Sequence, residues 1–240
     1  MCVDPISGAA GLARDAVGAT AGAALATGLT AYAAVRRDKP LHATGVVHHG
    51  TLTVTEPSAT GVPLIDDPGS HAVRVRLSRA TTDGSEGRDV FGIAIRIGGD
   101  AAPTDLLFAS TGDSGVGRFA LQVRRRIDDG PLTTMLPMTC ASGSMILRLV
   151  PASDHEFALS RASARGSWHP VGLLTLKPAA GDTDEPIRFD ALGNHPEGLT
   201  PPTWVRLLRA PAYAGARTAA PHAKADGPSR PARPRDRTTR

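Results

Sequence analysis

Cysteine and aromatic residues are both scarce in this chain, and each shortage excludes a class of protein. The two cysteines, Cys2 and Cys140, lie far apart, so they provide neither a disulfide framework nor a Cys-x-x-Cys metal site. This cysteine usage favours a reducing, cytoplasmic location. Aromatic residues make up 4% of the 240 residues, so the core of one large domain must consist of Val, Leu, Ile and Ala.

The first residues lack the basic start of a secretory signal peptide. The segment from Ala16 to Val35 contains no charged residue and reaches the length of a membrane span, about 20 residues. Its Gly and Thr content keeps its hydrophobicity low, and Arg14 and Asp15 precede it closely. We expect a soluble, Ala-rich helical arm over residues 1–35 and do not favour a membrane contact for it.

The basic character of the chain is concentrated at its end. The formal charge is +4 and the pI is about 9.6, but many basic residues follow Ala214, where apolar residues almost vanish. This composition predicts a disordered basic tail over residues 218–240. Because the charge belongs largely to that tail, no nucleic-acid partner is expected.

Beyond Pro40 the sequence changes to short runs of alternating or apolar residues separated by Gly, Pro, Asp or Ser. These runs predict β-strands at 45–54, 72–77, 90–97, 104–109, 145–150, 156–161, 171–176 and 187–190. In Val73–Leu77 the alternation is strict, so Arg74 and Arg76 must face the side opposite to the three apolar residues. Residues 117–126 and 131–136 fit neither template, and 203–213 predicts a short helix after Pro201 and Pro202.

Several segments in a fixed order carry recognisable sequence patterns. Residues 42–45 read His-Ala-x-Gly, and the segment Pro40 to Val47 looks like the strand that carries the distal histidine in the haem-dependent catalases. Val75 to Ser78 resembles Val-Arg-Phe-Ser, Asp89 to Arg96 resembles Arg-Gly-Phe-Ala-Val-Lys, and Thr104 to Leu107 resembles Trp-Asp-Leu-Val. Arg209 to Tyr213 is similar to the proximal Arg-x-x-x-Tyr motif, in which residues four apart share a helix face.

The resemblance implies an α+β fold over residues 36–217, with an antiparallel catalase-type β-barrel, an N-terminal helical arm and a short C-terminal helix. It also implies haem b as cofactor and a small hydroperoxide as substrate. His42 would be the distal acid/base and Ser78 would orient its imidazole. Arg76 would meet a haem propionate, and Lys39 would replace the basic residue that precedes the distal histidine.

The same resemblance assigns the proximal side of the haem. Tyr213 would be the iron ligand, and tyrosine is an established ligand type for haem iron. Arg209, one helical turn earlier, would hold a positive charge near the phenolic oxygen and favour its ionised form.

The sequence departs from the catalases at several places. It has no asparagine after the fourth segment, where residues 108–111 read Phe-Ala-Ser-Thr, and Phe91 stands in place of an arginine. The chain is also too short for the wrapping arm and C-terminal helical domain, so the catalase tetramer is not expected. These departures favour a peroxidase-like or hydroperoxide-rearranging activity over full catalase activity.

Two alternatives remain open at this point. One is a haem-free binding or scaffold protein, since few phenylalanines are available to sandwich a porphyrin: Phe91, Phe108, Phe119, Phe157 and Phe189. The other is a metal-dependent phosphodiesterase that uses His48, His49, Asp66, Asp67 and His71. Adjacent strand residues point to opposite faces, so His48 and His49 would not both reach one metal ion without a bulge. Residues 66–69 are better explained as a turn.

Residues 124–126 (Arg-Arg-Arg) indicate a solvated charge cluster.

Overall fold

The structure, a computed structural model, describes residues 44–80, 87–178 and 187–201. These residues contain nine strands, a one-turn α-helix and a 3₁₀ helix. The strands are β1 (Thr44–Val54), β2 (Gly69–Arg79), β3 (Phe91–Ile97), β4 (Thr104–Ser110), β5 (Leu132–Thr133), β6 (Met138–Cys140), β7 (Gly143–Ser153), β8 (Glu156–Ala162) and β9 (His169–Leu176). The helices are α1 (Pro63–Asp66) and the 3₁₀ helix Gly115–Phe119.

The strands form a closed antiparallel barrel. Their order is β5-β4-β3-β2-β1-β9-β8-β7-β6, and β5 pairs with β7 as well as with β4. This second pairing closes a ring of eight strands, with β6 added beside β7. Closure leaves few free strand edges and defines an inner and an outer face for every strand.

Alternate residues of each strand fill the barrel. On β2 and β3 these are Val73, Val75, Ile93 and Ile95, none more than 4% exposed. Leu174 from β9 is fully buried in the same cluster. The prediction that the apolar residues and the arginines of β2 face opposite sides is therefore confirmed, because Arg74 and Arg76 lie on the outer face. The core is aliphatic, as the shortage of aromatic residues requires.

One end of the barrel is closed by the connection between β1 and β2. Val62 lies immediately before α1, and Ile65 lies within it. They are 0% and 1% exposed and belong to the main hydrophobic core. The carboxylate of Asp66 accepts hydrogen bonds from Ser58, Thr60, Gly61 and Val62. The turn expected at residues 66–69 is therefore displaced, because Asp66 ends α1 and organises the loop before it.

Most of the expected strands are confirmed, but residues 187–190 form no strand. The backbone of this segment is bonded to side chains instead. The carbonyl of Arg188 accepts from Arg96, and the amide of Asp190 donates to Asp105. The expected arm over residues 1–35, the helix at 203–213 and the tail at 218–240 lie outside the described residues. In the described part of the chain, no helix has the length and apolar character needed to span a membrane.

The arginine run at 124–126 is not a uniformly solvated cluster. Arg124 is 7% exposed and donates to the carbonyls of Thr111 and Pro131. Burial lowers the pKa of its guanidinium, opposed by the nearby charge of Asp129. Carbonyl oxygens satisfy this buried cation and hold the loop between β4 and β5 together. Arg126, in contrast, is exposed and pairs with Asp128.

Candidate functional site: a groove on the outer face of the barrel

The outer faces of β2, β3, β4 and β5 form the floor of a groove. The antiparallel register places outward residues in two parallel rows. The first row is Val47, Arg76, Ala94 and Leu107. The second row is Gly45, Ser78, Gly92, Ala109 and Thr133. An outward face usually carries polar side chains, whereas this one is mainly small and apolar, so it offers a flat surface close to the backbone.

Two irregular segments add walls to this floor. Ile187 and Phe189 contribute from the segment after β9, and Thr134 and Met135 contribute from the segment after β5. The resulting groove has a volume of about 420 Å³, which lies within the range of small-molecule sites. Arg76 is the one charged side chain among the described residues that line it. The arrangement suits an apolar ligand with an anionic group.

Met135 has an unusual backbone for a residue in this position. Its φ is 58°, in the left-handed region that non-glycine residues seldom adopt. Its amide donates to Thr133 Oγ1, and Ala109 packs against the small hydrophobic cluster that Met135 forms with Leu136. Backbone strain of this kind costs about 1–3 kcal/mol and tends to occur at functional sites. The strained residue thus lies in the lining of the same groove as the floor residue Ala109.

Arg76 reaches across β1 because Gly45 has no side chain. A methyl group at Gly45 would lie 2.8 Å from Arg76 Cζ and 2.7 Å from the carbonyl oxygen of Leu77. The half-buried guanidinium therefore lies against the backbone at the start of β1. Ser78, two residues further on β2, donates to the carbonyl of Gly92 at 3.4 Å. Both side chains line the groove.

A buried ion pair lies on the outer face directly beside the first row. Arg96 donates to both carboxylate oxygens of Asp105 at 2.8 Å, and the two side chains are 8% and 0% exposed. The hydrogen bond to Asp105 raises the pKa of Arg96 against the opposing effect of burial. Burial would raise the pKa of Asp105, but bonds from Arg96, Asp190 and Asn194 outweigh it and hold that pKa below its ordinary value. The pair is charged at neutral pH.

The structure brings together two of the predicted site residues, Arg76 and Ser78. The other four, His42, Lys39, Arg209 and Tyr213, lie outside the described residues, so their roles stay predictions. Among the five phenylalanines considered for a porphyrin, Phe108 and Phe157 belong to the barrel core. Phe108 also lines the groove, and Phe189 contributes to its wall.

The residues considered for a metal-dependent phosphodiesterase are not brought together. Within residues 44–80, 87–178 and 187–201, no group of three or more His, Cys, Asp and Glu side chains could hold a metal ion. His49 is exposed, while His48 Nδ1 lies 3.3 Å from the carbonyl oxygen of Lys177. The carboxylate of Asp66 is engaged in hydrogen bonds within its own loop.

Most of the groove could not be recognised in the sequence. Ala94 and Leu107 lie in segments that resemble catalase patterns, but neither was predicted to line a site. Thr133 and Met135 belong to no motif, and the wall residue Phe189 was assigned to a strand. One signal was available, since residues 91–95 read Phe-Gly-Ile-Ala-Ile without a polar residue. Such a run indicates a strand that is covered on both faces.

The fold and site together define a barrel protein with a ligand-sized groove on its outer wall. No protein-family model matches the chain, and no curated protein matches it. Among solved structures it is similar to one described as the structure of a bacterial catalase, with 13% identity and a TM-score of 0.49. The similarity covers 78% of this chain and 58% of that chain, so the chain spans less than two thirds of the catalase. At this level the similarity carries no information on ligand or activity.

Proposed function

We propose that the groove binds haem b and that the protein acts on small hydroperoxides, by a peroxidase-like or hydroperoxide-rearranging reaction. The observation that supports this most is the composition of the groove. Its floor of Gly92, Ala94 and Ala109 is flat and apolar, and Arg76 supplies one positive charge. A porphyrin has the complementary form, since it is a flat apolar ring with carboxylates at one edge. Charge-assisted hydrogen bonds from arginine to carboxylate are among the stronger ones in proteins.

The described residues fit this cofactor on one side. Arg76 would bind a propionate, and Phe189 would offer an aromatic surface to the ring edge. Tyr213 would ligate the iron, with Arg209 favouring its ionised form and Lys39 adding positive charge near the distal side. When bound, haem would supply a redox-active iron centre, whose chemistry the distal pocket directs.

Side chains of the protein would transfer the proton of the hydroperoxide. His42 would accept a proton from the hydroperoxide and return it to the leaving oxygen, which is ordinary general acid–base work for an imidazole. Ser78 would orient that imidazole from the neighbouring strand. Ala109, in contrast, provides no amide to hold a second oxygen atom. We therefore expect little disproportionation of hydrogen peroxide and a preference for organic hydroperoxides.

An absorption spectrum of the protein with added hemin tests the proposal. Tyr213→Phe should lose or shift the Soret band, and Tyr32→Phe is its matched control because the chain has two tyrosines. Arg76→Leu should weaken hemin binding by about tenfold or more, as expected for one lost hydrogen bond to a charged group.

The proposal is overturned if the wild-type protein with added hemin has the same absorption spectrum as free hemin. It is also overturned if Tyr213→Phe and Tyr32→Phe have the same spectrum as the wild type. The first outcome would favour the alternative of a haem-free binding or scaffold protein.

A further inference from the structure

A short segment without regular secondary structure crosses the outer face of β3 and β4. We call residues 187–194 the strap. Its backbone and one side chain are bonded to the Arg96–Asp105 pair at four points. Arg96 Nη2 donates to the carbonyl of Arg188 at 2.6 Å, and Asp105 Oδ2 accepts from the Asp190 amide at 2.8 Å. Asp105 Oδ2 also accepts from Asn194 Nδ2 at 2.9 Å, and the Asp105 amide donates to the Asn194 carbonyl at 2.6 Å.

The aromatic ring of the strap is bound to the same pair. The Arg96 guanidinium lies 5.2 Å from the centroid of the Phe189 ring, within the range of a cation–π contact. Within the strap, Asp190 accepts from the amides of Leu192 and Gly193, which keeps its turn compact. The pair therefore fixes the position of the strap on the barrel, and we call Arg96 and Asp105 the latch.

The latch lies directly beside the groove. The row that contains it is His49, Arg74, Arg96 and Asp105. This row is two residues along each strand from the first floor row, a distance of about 7 Å. The strap residues Ile187 and Phe189 extend from the latch into the groove wall. A movement of the strap would therefore change the groove, although neither latch residue lines it.

We propose that Arg96 and Asp105 are positioning residues that hold the strap closed over the groove, so that Ile187 and Phe189 retain a flat apolar ligand. This inference rests on the proposed function for the use of the groove as a ligand site. It does not depend on that ligand being haem. Because a buried carboxylate and a buried arginine would each be costly alone, loss of either one frees the strap as a unit.

A purely structural role for the latch makes a different prediction. In that case its loss would lower the stability of the whole barrel and leave access to the groove unchanged in the folded state. The strap hypothesis predicts local opening at temperatures where the barrel remains folded. The two hypotheses therefore differ in a ligand-free measurement.

The test compares Asp105→Asn with Asp100→Asn. Asp100 is the matched control, since it also contacts Arg96 but its side chain is 72% exposed. Both changes remove one negative charge. A reporter thiol is placed on the groove floor by Ala94→Cys in a Cys2→Ser background, where the remaining Cys140 is buried.

Alkylation by iodoacetamide and hydrogen–deuterium exchange of the peptide covering the strap are measured without ligand. In Asp105→Asn both should accelerate by about tenfold or more, since a lost hydrogen bond to a charged group shifts an opening equilibrium by that factor. Peptides from β7 and β8 should not change. With hemin, dissociation should accelerate similarly while association stays within about twofold, because retention acts mainly on the off-rate.

Equal alkylation and exchange rates in Asp105→Asn and Asp100→Asn would overturn the inference, as would a hemin off-rate that stays unchanged when the strap opens. If the wild type binds no hemin, the haem proposal fails, whereas the ligand-free rates still decide whether the latch closes the groove. Should Asp105→Asn fail to fold, Asn194→Ala removes one bond of the strap and leaves the ion pair intact. Its alkylation rate must then exceed that of Asp100→Asn.

Discussion

The carboxylate of Asp66 should be a major determinant of the stability of the barrel end. One oxygen accepts from Ser58 Oγ at 2.6 Å and Thr60 Oγ1 at 2.8 Å. The other accepts from the amides of Gly61 at 2.7 Å and Val62 at 3.0 Å, and the Thr60 amide lies 2.9 Å from both. We expect Asp66→Asn to destabilise the protein, because the amide group can replace only one of the two oxygens as an acceptor.

The magnitude follows from these contacts. A hydrogen bond to a charged group contributes about 1.5–3 kcal/mol, and a neutral one about 1 kcal/mol. If the side-chain amide keeps its oxygen towards Gly61 and Val62, the hydroxyl groups can rotate to accept from its nitrogen. The loss is then that of the charge and of one amide partner, about 1–3 kcal/mol in the free energy of unfolding. A loss of about 2 kcal/mol lowers Tm by roughly 4–8 °C in a domain of this size.

The pH dependence has a definite sign. Burial raises the pKa of Asp66, but its hydrogen bonds from Ser58, Thr60 and Val62 outweigh this and hold the pKa below the ordinary 3.8. A lowered pKa in the folded state stabilises the protein above the unfolded value, and this contribution is lost as the pH falls. The difference between the wild type and Asp66→Asn should therefore be constant above about pH 5 and shrink below about pH 4 by up to ~1.4 kcal/mol per pH unit.

Urea denaturation at pH 7, 5, 4 and 3 measures this difference. The neighbouring Asp67 is exposed and gives the control Asp67→Asn, with the same change in charge. Equal midpoints for the two variants at pH 7 would refute the reasoning. A difference that persists unchanged at pH 3 would also refute it, since the carboxylate would then not be the cause.

Two further substitutions test the floor of the groove and the core. Gly45→Ala should weaken hemin binding about as much as Arg76→Leu, because its methyl group would displace the Arg76 guanidinium and press on the Leu77 carbonyl; unchanged affinity in a hemin titration would contradict this. Leu174→Ala should cost about 2–5 kcal/mol in urea denaturation, since Leu174 is fully buried in the barrel, and a cost below ~1 kcal/mol would show that the core is not packed as described.

The sequence was sufficient to predict the strands whose alternation is strict. In β2 the contrast between valines and arginines fixes the two faces, and the observed register agrees with it. The closure of the barrel could not be predicted in this way. It depends on β5, which has two residues, Leu132 and Thr133, and pairs with two strands distant in sequence. A pair of residues carries no periodicity, so only the three-dimensional pairing reveals it.

The latch was hidden for a similar reason. Arg96 and Asp105 fall in two segments that resemble catalase patterns. The resemblance gave no reason to pair the two charged side chains with each other. Their pairing depends on the register of β3 against β4. The backbone of residues 187–190 then binds to this pair and not to a strand. The alternating pattern of residues 187–190 therefore gave the wrong secondary structure for Phe189 and its neighbours.

The outer face of β3 is apolar like its inner face, and this feature connects the groove, the strap and Met135. Ile93 and Ile95 fill the barrel, so Gly92 and Ala94 on the outer face are not needed for its core. If this face met only water, polar side chains at both positions would serve solubility better at no cost to the core. Small residues there provide a surface that a flat molecule can approach closely. The strap and Met135 lie around that surface, and the left-handed backbone of Met135 adds a local cost there. The proposed ligand of the groove would account for both features.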